Sequence, residues 1–89
     1  MAIKRQPVTS SSIRSVGYDT RTRRLEVEFH NGRIYRHSKV PVKLWNQFQG
    51  AKSLGAFYNY NLKGNFDPIE ITPPQEVPVY DQLKRSTDT

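Results

Sequence analysis

The chain has 89 residues, of which 35% are hydrophobic and 25% are charged, and its formal net charge is +6. This length accommodates one domain with a modest core, and no stretch approaches the roughly 20 apolar residues of a membrane span. The absence of cysteine excludes disulfides, thiolate metal sites and a thiol nucleophile. It also suits a reducing cytoplasm, where we expect the protein to reside, because no apolar run of a secretory signal follows the first residues.

The chain is predicted to have three parts. Residues 1–10 are polar and are predicted to form a flexible arm. Residues 11–66 have periodic hydrophobic patterns and are predicted to form the domain. Residues 67–89 are predicted to form an acidic, proline-rich, extended tail. Residues 1–64 have a charge balance of +9, whereas residues 65–89 have −3. A basic body suggests an anionic partner. If the acidic tail covers that body, deleting residues 68–89 should tighten RNA binding at low salt.

The first predicted strand covers residues 12–18. Its apolar residues Ile13 and Val16 break a simple alternation, which predicts a bulge or an edge distortion. A turn follows, in which the Asp19 carboxylate can accept a hydrogen bond from the backbone two residues further on. The second predicted strand covers residues 24–29, where apolar and charged residues alternate.

Asn31-Gly32 predicts a hairpin between the second strand and a third, but two loop lengths are possible. A two-residue turn would place Val27 opposite Arg36. A three-residue loop, with the glycine in the left-handed conformation, would place Val27 opposite Tyr35 and would pair Glu26 with the arginine. We favour the three-residue loop because burying an unpaired arginine beside Val27 is unfavourable. In that register Arg36 faces solvent and Tyr35 turns toward the helices.

Two short helices are predicted after the sheet. Pro41 suits the first position of the first helix, Ser53 suits the N-cap of the second, and Gly64 is placed to end it. Apolar residues at helical spacing predict the buried face, with three aromatic residues in the core: Trp45, Phe48 and Phe57. The predicted fold class is therefore α+β, a three-stranded antiparallel β-meander followed by two short helices and an extended tail.

In their order and spacing, these residues resemble the KTSC domain. That domain is found at the carboxyl terminus of some lysyl-tRNA synthetases and as short stand-alone bacterial and phage proteins. The resemblance covers about residues 10–66 and is carried by Ser11-Ser12-Ile13, Val16-Gly17-Tyr18-Asp19, Leu25-Glu26-Val27-Glu28-Phe29, Asn31-Gly32, Tyr35, Val40-Pro41, Phe48, Ala51, Ser53, Gly55, Phe57 and Asn59. The family's central Tyr-x-Tyr reads Tyr35-Arg36-His37 here, so His37 departs from the pattern. The resemblance implies the fold above and RNA binding, the role usually suggested for the family.

No catalytic residue, metal site or cofactor is predicted. His30 and His37 have no cysteine or acidic cluster beside them to complete a metal site, although His37 could pair with Glu26 in an alternative register. The serines at residues 10–12 lack an adjacent general base. Glu26 and Glu28 lie two residues apart on one strand face, and we interpret them as an outward polar face.

Non-catalytic binding of RNA or single-stranded nucleic acid is the favoured function. The planar guanidinium of arginine suits phosphate groups, and tyrosine rings can stack on unpaired bases. Cationic and aromatic side chains of the sheet, its turns and the first helix form the predicted interface: Arg14, Arg21, Arg23, Arg24, Arg33, Tyr35, Arg36, His37, Lys39 and Lys43. Tyr18 and Tyr60 are further candidates for stacking. For Tyr35 the competing interpretation is packing between the sheet and the helix.

A second hypothesis is a protein-interaction module or accessory protein with no nucleic-acid ligand. The tail segment Val77-Pro78-Val79-Tyr80 could add a strand to a partner or to an edge of the chain's own sheet. Absence of salt-sensitive binding to RNA, tRNA and duplex DNA would favour this second hypothesis.

Overall fold

An antiparallel sheet of five strands, with helices on one of its faces, forms the protein in the computed structural model, which describes residues 3–73. The strands lie side by side in chain order. The elements are β1 (Gln6–Pro7), β2 (Ile13–Asp19), β3 (Arg24–Phe29), β4 (Ile34–His37), α1 (Val42–Gln49), α2 (Leu54–Phe57), a π-helical turn (Tyr58–Leu62) and β5 (Ile69–Glu70). The α+β class is confirmed. The predicted tail segment at residues 77–80 lies outside the described residues.

The prediction of three strands is wrong, because two short strands extend the sheet at its edges. β1 pairs with β2, so that Gln6 lies opposite Val16, and β5 pairs with β4, so that Ile69 lies opposite Arg36. Each added strand has two residues, too few to show an alternating pattern. Pro7 belongs to the edge strand β1, where a residue without an N–H is tolerated.

The connection between β2 and β3 follows the sequence prediction. The register shifts between Ile13 and Ser15, which confirms the predicted bulge. The Asp19 carboxylate accepts a hydrogen bond from the backbone N–H of Arg21 at 2.9 Å, as the turn prediction required.

The β3–β4 hairpin has the three-residue loop. Gly32 has a φ of +90°, in the left-handed region, and Val27 lies opposite Tyr35 while Glu26 lies opposite Arg36. Tyr35 is therefore on the face of the sheet that carries the helices, the helix face. Arg36 is on the other face, which we call the open face.

The helices follow the predicted boundaries, with two differences. Pro41 is the N-cap of α1 rather than its first residue. Ser53 caps α2 by accepting a hydrogen bond from the Ala56 N–H at 3.2 Å, but α2 has only four residues and continues as the π-helical turn. There the Lys63 N–H donates to the Tyr58 carbonyl at 2.8 Å, five residues back.

The core lies between the helix face and the helices. Its buried hydrophobic members are Ile13, Val16, Leu25, Val27, Val40, Phe48, Tyr58 and Leu62. The prediction of Phe48 as core is confirmed, since it is 1% exposed, while Trp45 and Phe57 are partly buried against the core. No helix within residues 3–73 is both long and apolar enough to cross a membrane.

Candidate nucleic-acid interface

The structure divides the predicted interface residues between two separate concave surfaces. Arg33 and Tyr35 line one of them, on the helix face near the β3–β4 loop. Arg21, Arg24 and Arg36 line the other, on the open face. Four predicted residues are exposed but line neither surface: Arg14, Arg23, Lys39 and Lys43.

The first surface, which we call the hairpin groove, has a volume of about 330 Å³. Its lining comes from β3, the hairpin loop, β4 and the π-helical turn: Phe29, Asn31, Arg33, Tyr35, Tyr58, Asn59 and Lys63. The Phe29 ring meets Tyr35 edge-to-face at a centroid distance of 6.0 Å and Tyr58 at 5.0 Å. These contacts hold the three rings in fixed orientations, so the groove has an aromatic lining that is formed without a ligand.

Two cations and two amides complete the hairpin groove. The pKa of the Arg33 guanidinium is raised above its ordinary value, first by a hydrogen bond to the Tyr35 side chain and then by the Glu70 carboxylate. Asn31 holds the loop by accepting a hydrogen bond from the Arg33 N–H at 2.9 Å. Lys63 and Asn59 are both exposed. The groove thus combines aromatic faces, amide hydrogen-bonding groups and positive charge.

His37, predicted as an interface residue, is fully buried beneath this groove and is out of reach of a surface ligand. Its Nδ1 lies 2.9 Å from the Asn65 carbonyl oxygen and its Nε2 lies 2.9 Å from the Tyr58 hydroxyl. Because a carbonyl oxygen only accepts, Nδ1 carries the proton, and the Tyr58 hydroxyl donates to Nε2. Burial lowers the pKa of His37 and raises the pKa of Tyr58 to about 12. Both side chains are therefore neutral near pH 7, and His37 fixes the position of Tyr58.

The second surface, the arginine pocket, has a volume of about 190 Å³. It lies on the open face beside the β2–β3 turn and is lined by Ile3, Asp19, Arg21, Thr22, Arg24 and Arg36. Backbone hydrogen bonding to Arg21 is the main cause that lowers the pKa of Asp19. That carboxylate is thus engaged in the turn that presents Arg21.

A buried carboxylate lies beneath the arginine pocket. Glu26 is 3% exposed; its Oε1 is 2.6 Å from Arg5 Nη1 and its Oε2 is 3.2 Å from Arg36 Nη2. The interpretation of Glu26 as an outward polar residue was therefore wrong, because the side chain lies on the open face but two arginines cover it. Glu28 accepts a hydrogen bond from the Ser15 hydroxyl at 2.8 Å and is partly exposed.

Residues 3–5 reach Glu26 because Gly17 has no side chain. A Cβ at Gly17 would lie 2.6 Å from the Lys4 carbonyl oxygen and 2.8 Å from the Ile3 side chain, both too short for a real contact. Because β2 has no side chain at Gly17, the N-terminal segment can cross β2 on the open face and bring Arg5 to Glu26. The sequence analysis missed Arg5 because it lies 21 residues from its partner.

Sequence reasoning also missed five groove residues: Phe29, Asn31, Tyr58, Asn59 and Lys63. Among them, Phe29, Asn31 and Asn59 belonged to the family resemblance, which was the available signal for these three. The stacking candidates Tyr18 and Tyr60 both lie outside the groove. Tyr18 stacks on Trp45 at 5.2 Å and donates its hydroxyl proton to the Val40 carbonyl, whereas Tyr60 is 86% exposed.

Within residues 3–73, no three His, Cys, Asp or Glu side chains are grouped so that they could hold a metal ion. The surfaces described above instead offer cations, aromatic rings and amides. Such groups suit reversible binding of an anionic or aromatic ligand.

Comparison with known proteins places this arrangement in a family. The model of the KTSC domain matches residues 9–66. An uncharacterized protein of Stutzerimonas stutzeri is 43% identical over 61 residues, which cover 68% of this chain and 86% of that protein. A lysine–tRNA ligase of Nostoc punctiforme is 34% identical over 56 residues, which are 63% of this chain but 10% of the ligase.

The fold agrees with a solved structure as well. The crystal structure of a KTSC domain protein from Yersinia pestis superposes with a TM-score of 0.75 at 40% sequence identity, covering 79% of this chain and 99% of that one. The chain belongs to the KTSC domain family.

Proposed function

We propose that the protein is a non-catalytic binding domain that holds RNA or single-stranded nucleic acid in the hairpin groove. The observation that carries the proposal is the pairing of fixed aromatic rings with cations at one surface. Tyr35 and Phe29 offer ring faces and edges to an unpaired base, while Arg33 and Lys63 lie where they can neutralise phosphates. This combination of stacking surface and positive charge is the usual design of sites for unpaired nucleotides.

The relatives add support of a different kind. The enzymes named lysine–tRNA ligase act, by that name, on a tRNA, and this chain resembles a segment that makes up 10% of their length. A domain attached to such an enzyme has an RNA within reach. We carry this association over to the present chain as part of the proposal.

Titration against labelled single-stranded RNA, tRNA and duplex DNA at two salt concentrations tests the proposal. We expect single-stranded RNA to bind most tightly, with an affinity that falls as salt rises because bound counterions are released. In the double variant Arg33→Gln/Lys63→Gln, RNA binding should weaken. The slope of log K against log salt concentration should also decrease by about one for each cation removed. The matched double variant Lys4→Gln/Lys52→Gln removes the same charge from exposed residues outside both surfaces and should bind nearly as the parent does.

Base stacking is tested by a second pair of variants. Tyr35→Ala removes a ring of the groove and should weaken RNA binding by roughly 1–3 kcal/mol, the usual contribution of one stacked base. Tyr60→Ala removes an exposed ring outside the groove and should have little effect. Circular dichroism of each variant checks that the fold is kept. Equal weakening by the two variants would contradict a specific groove, and absence of binding to all three nucleic acids would favour the protein-interaction module.

A further inference from the structure

We propose that the arginine pocket is a second binding site, separate from the hairpin groove, and that it takes the dianionic phosphate group of a phosphomonoester or of free phosphate. The pocket lies on the open face, beside the turn before β3, whereas the groove lies on the helix face, beside the loop after β3. The two sites therefore share no lining residue. The inference goes beyond the proposed function and stands without it.

The three guanidinium groups of the pocket differ in their ion pairs within residues 3–73, because Arg36 has one and Arg21 and Arg24 have none. Within residues 3–73, Glu26 is the carboxylate that forms ion pairs, and its partners are Arg5 and Arg36. Arg21 and Arg24 form no ion pair with a described carboxylate, and both are exposed. Among the described residues, no carboxylate therefore competes with a ligand for the N–H groups of these two guanidinium groups.

Glu26 orients Arg36 in the pocket. Its Oε2 accepts from Nε of Arg36 at 3.4 Å and from Nη2 at 3.2 Å, so the carboxylate uses one edge of the guanidinium. A guanidinium has five N–H donors in a rigid plane, and the remaining ones point away from that edge. Glu26 is itself anchored by Arg5 at 2.6 Å. It therefore acts as a positioning residue, and its charge is shared between two arginines.

Charge and size select the ligand class. The lining holds three arginines and one aspartate, so it has an excess of two positive charges before a ligand binds. The volume of about 190 Å³ is below the roughly 300–1,000 Å³ typical of sites for drug-sized molecules. A hydrogen bond from the Thr22 side chain also lowers the pKa of Asp19, so this hydroxyl is engaged with the one carboxylate of the lining. A compact anion with two negative charges and several acceptor oxygens fits these properties, as a terminal phosphate does.

Nuclear magnetic resonance of the arginine Nε–Hε groups provides the test. Inorganic phosphate, titrated at constant ionic strength with chloride as reference, should shift the Arg21, Arg24 and Arg36 signals and leave the Arg14 signal in place. Arg24→Gln should weaken phosphate binding about tenfold or more, because it removes charge-assisted hydrogen bonds between a guanidinium and the anion. The matched variant Lys52→Gln should bind phosphate as the parent does.

Two oligonucleotides of one sequence, one with a 5′-phosphate and one with a 5′-hydroxyl, distinguish the sources of the phosphate. Tighter binding of the phosphorylated strand, lost in Arg24→Gln, would identify a phosphomonoester at a strand end as the ligand. Equal binding of both strands, with inorganic phosphate still shifting the pocket signals, would identify free phosphate.

The proposal is overturned if phosphate shifts Arg14 as much as the pocket arginines, or if Arg24→Gln binds phosphate as tightly as the parent. The double variant Arg33→Gln/Lys63→Gln keeps the test independent of the proposed function. It should leave phosphate binding intact while it weakens RNA binding, so failure at either site is recognised separately.

Discussion

His37 makes the stability of the protein depend on pH. Burial lowers the pKa of His37 below its ordinary value of 6.5, so the unfolded chain takes up a proton at a higher pH than the folded chain does. The free energy of unfolding is therefore fully retained above about pH 6.5 and decreases as the pH falls below that value toward the folded-state pKa. Urea unfolding at several values between pH 8 and pH 5 should show this decrease.

Two histidine variants serve as controls for that dependence. His37→Gln cannot be protonated in this range, so its stability should change much less between pH 8 and pH 5. His30→Gln replaces an exposed histidine and should keep the parent's dependence. A dependence that survived in His37→Gln would assign it to another group.

The buried carboxylate of Glu26 should contribute measurably to stability. Glu26→Gln keeps the size of the side chain but removes its charge, which weakens the hydrogen bonds from Arg5 and Arg36. Both arginines are about one third exposed and can be partly rehydrated, so we expect a loss of about 1–2 kcal/mol in the free energy of unfolding. Glu28→Gln, at a more exposed position with one hydroxyl partner, should lose less. Equal losses in the two variants would contradict the role assigned to Glu26.

For single residues, the sequence predicted those features that depend on nearby residues in the chain. The faces of Tyr35 and Arg36 followed from the loop glycine and from the cost of burying an unpaired arginine, and the register confirms them. The burial of Glu26 and of His37 could not be predicted. Arg5, which contacts Glu26, lies 21 residues from it in the chain, and Asn65, which contacts His37, lies 28 residues away. Only the fold brings these partners together.

Among the elements, the crossing of the N-terminal segment over β2 depends on Gly17. In Gly17→Ala the new Cβ would lie 2.6 Å from the Lys4 carbonyl oxygen, so backbone has to move. We expect the pairing of β1 with β2 to loosen and the free energy of unfolding to fall by about 1–3 kcal/mol. Hydrogen exchange of the Val8 amide, which donates to the Arg14 carbonyl, should become faster.

Gly50→Ala provides the matched control for that substitution. A Cβ at Gly50 meets its nearest neighbours at 3.9 Å, an ordinary van der Waals distance. The variant should keep both stability and the Val8 exchange rate. If Gly17→Ala behaved in the same way, the crossing of the N-terminal segment over β2 would not depend on the absence of a side chain at residue 17.

The elements that sequence analysis predicted well have long patterns or strong end signals. β3 alternates over six residues, and α2 begins at a serine that caps it. β1 and β5 have two residues each, and neither can show a period of two. The π-helical turn was also missed, since its apolar spacing is compatible with an ordinary helix and the extra residue per turn leaves no separate signal.

For the whole molecule, the position of β5 changes how the role of the acidic tail should be tested. Deleting residues 68–89 would remove Ile69 and Glu70, which form a strand of the sheet. Deletion of residues 74–89 leaves the described fold complete and removes three acidic and two basic residues. If the tail competes with an anionic ligand, this deletion should tighten binding of single-stranded RNA at low salt, measured by fluorescence anisotropy. Unchanged affinity would contradict the competition.

The single strand β3 connects the two proposed sites. Arg24 lines the arginine pocket at its first residue and Phe29 lines the hairpin groove at its last, so the sites are separated by roughly 16 Å along the strand. A ligand too short to reach both would bind each with its separate affinity. For a longer strand, binding at one site would raise the effective concentration of its remaining part at the other. Because the two sites lie on opposite faces of the sheet, such a strand has to pass around the sheet edge, so only ligands longer than the spacing along β3 would bind both sites at once.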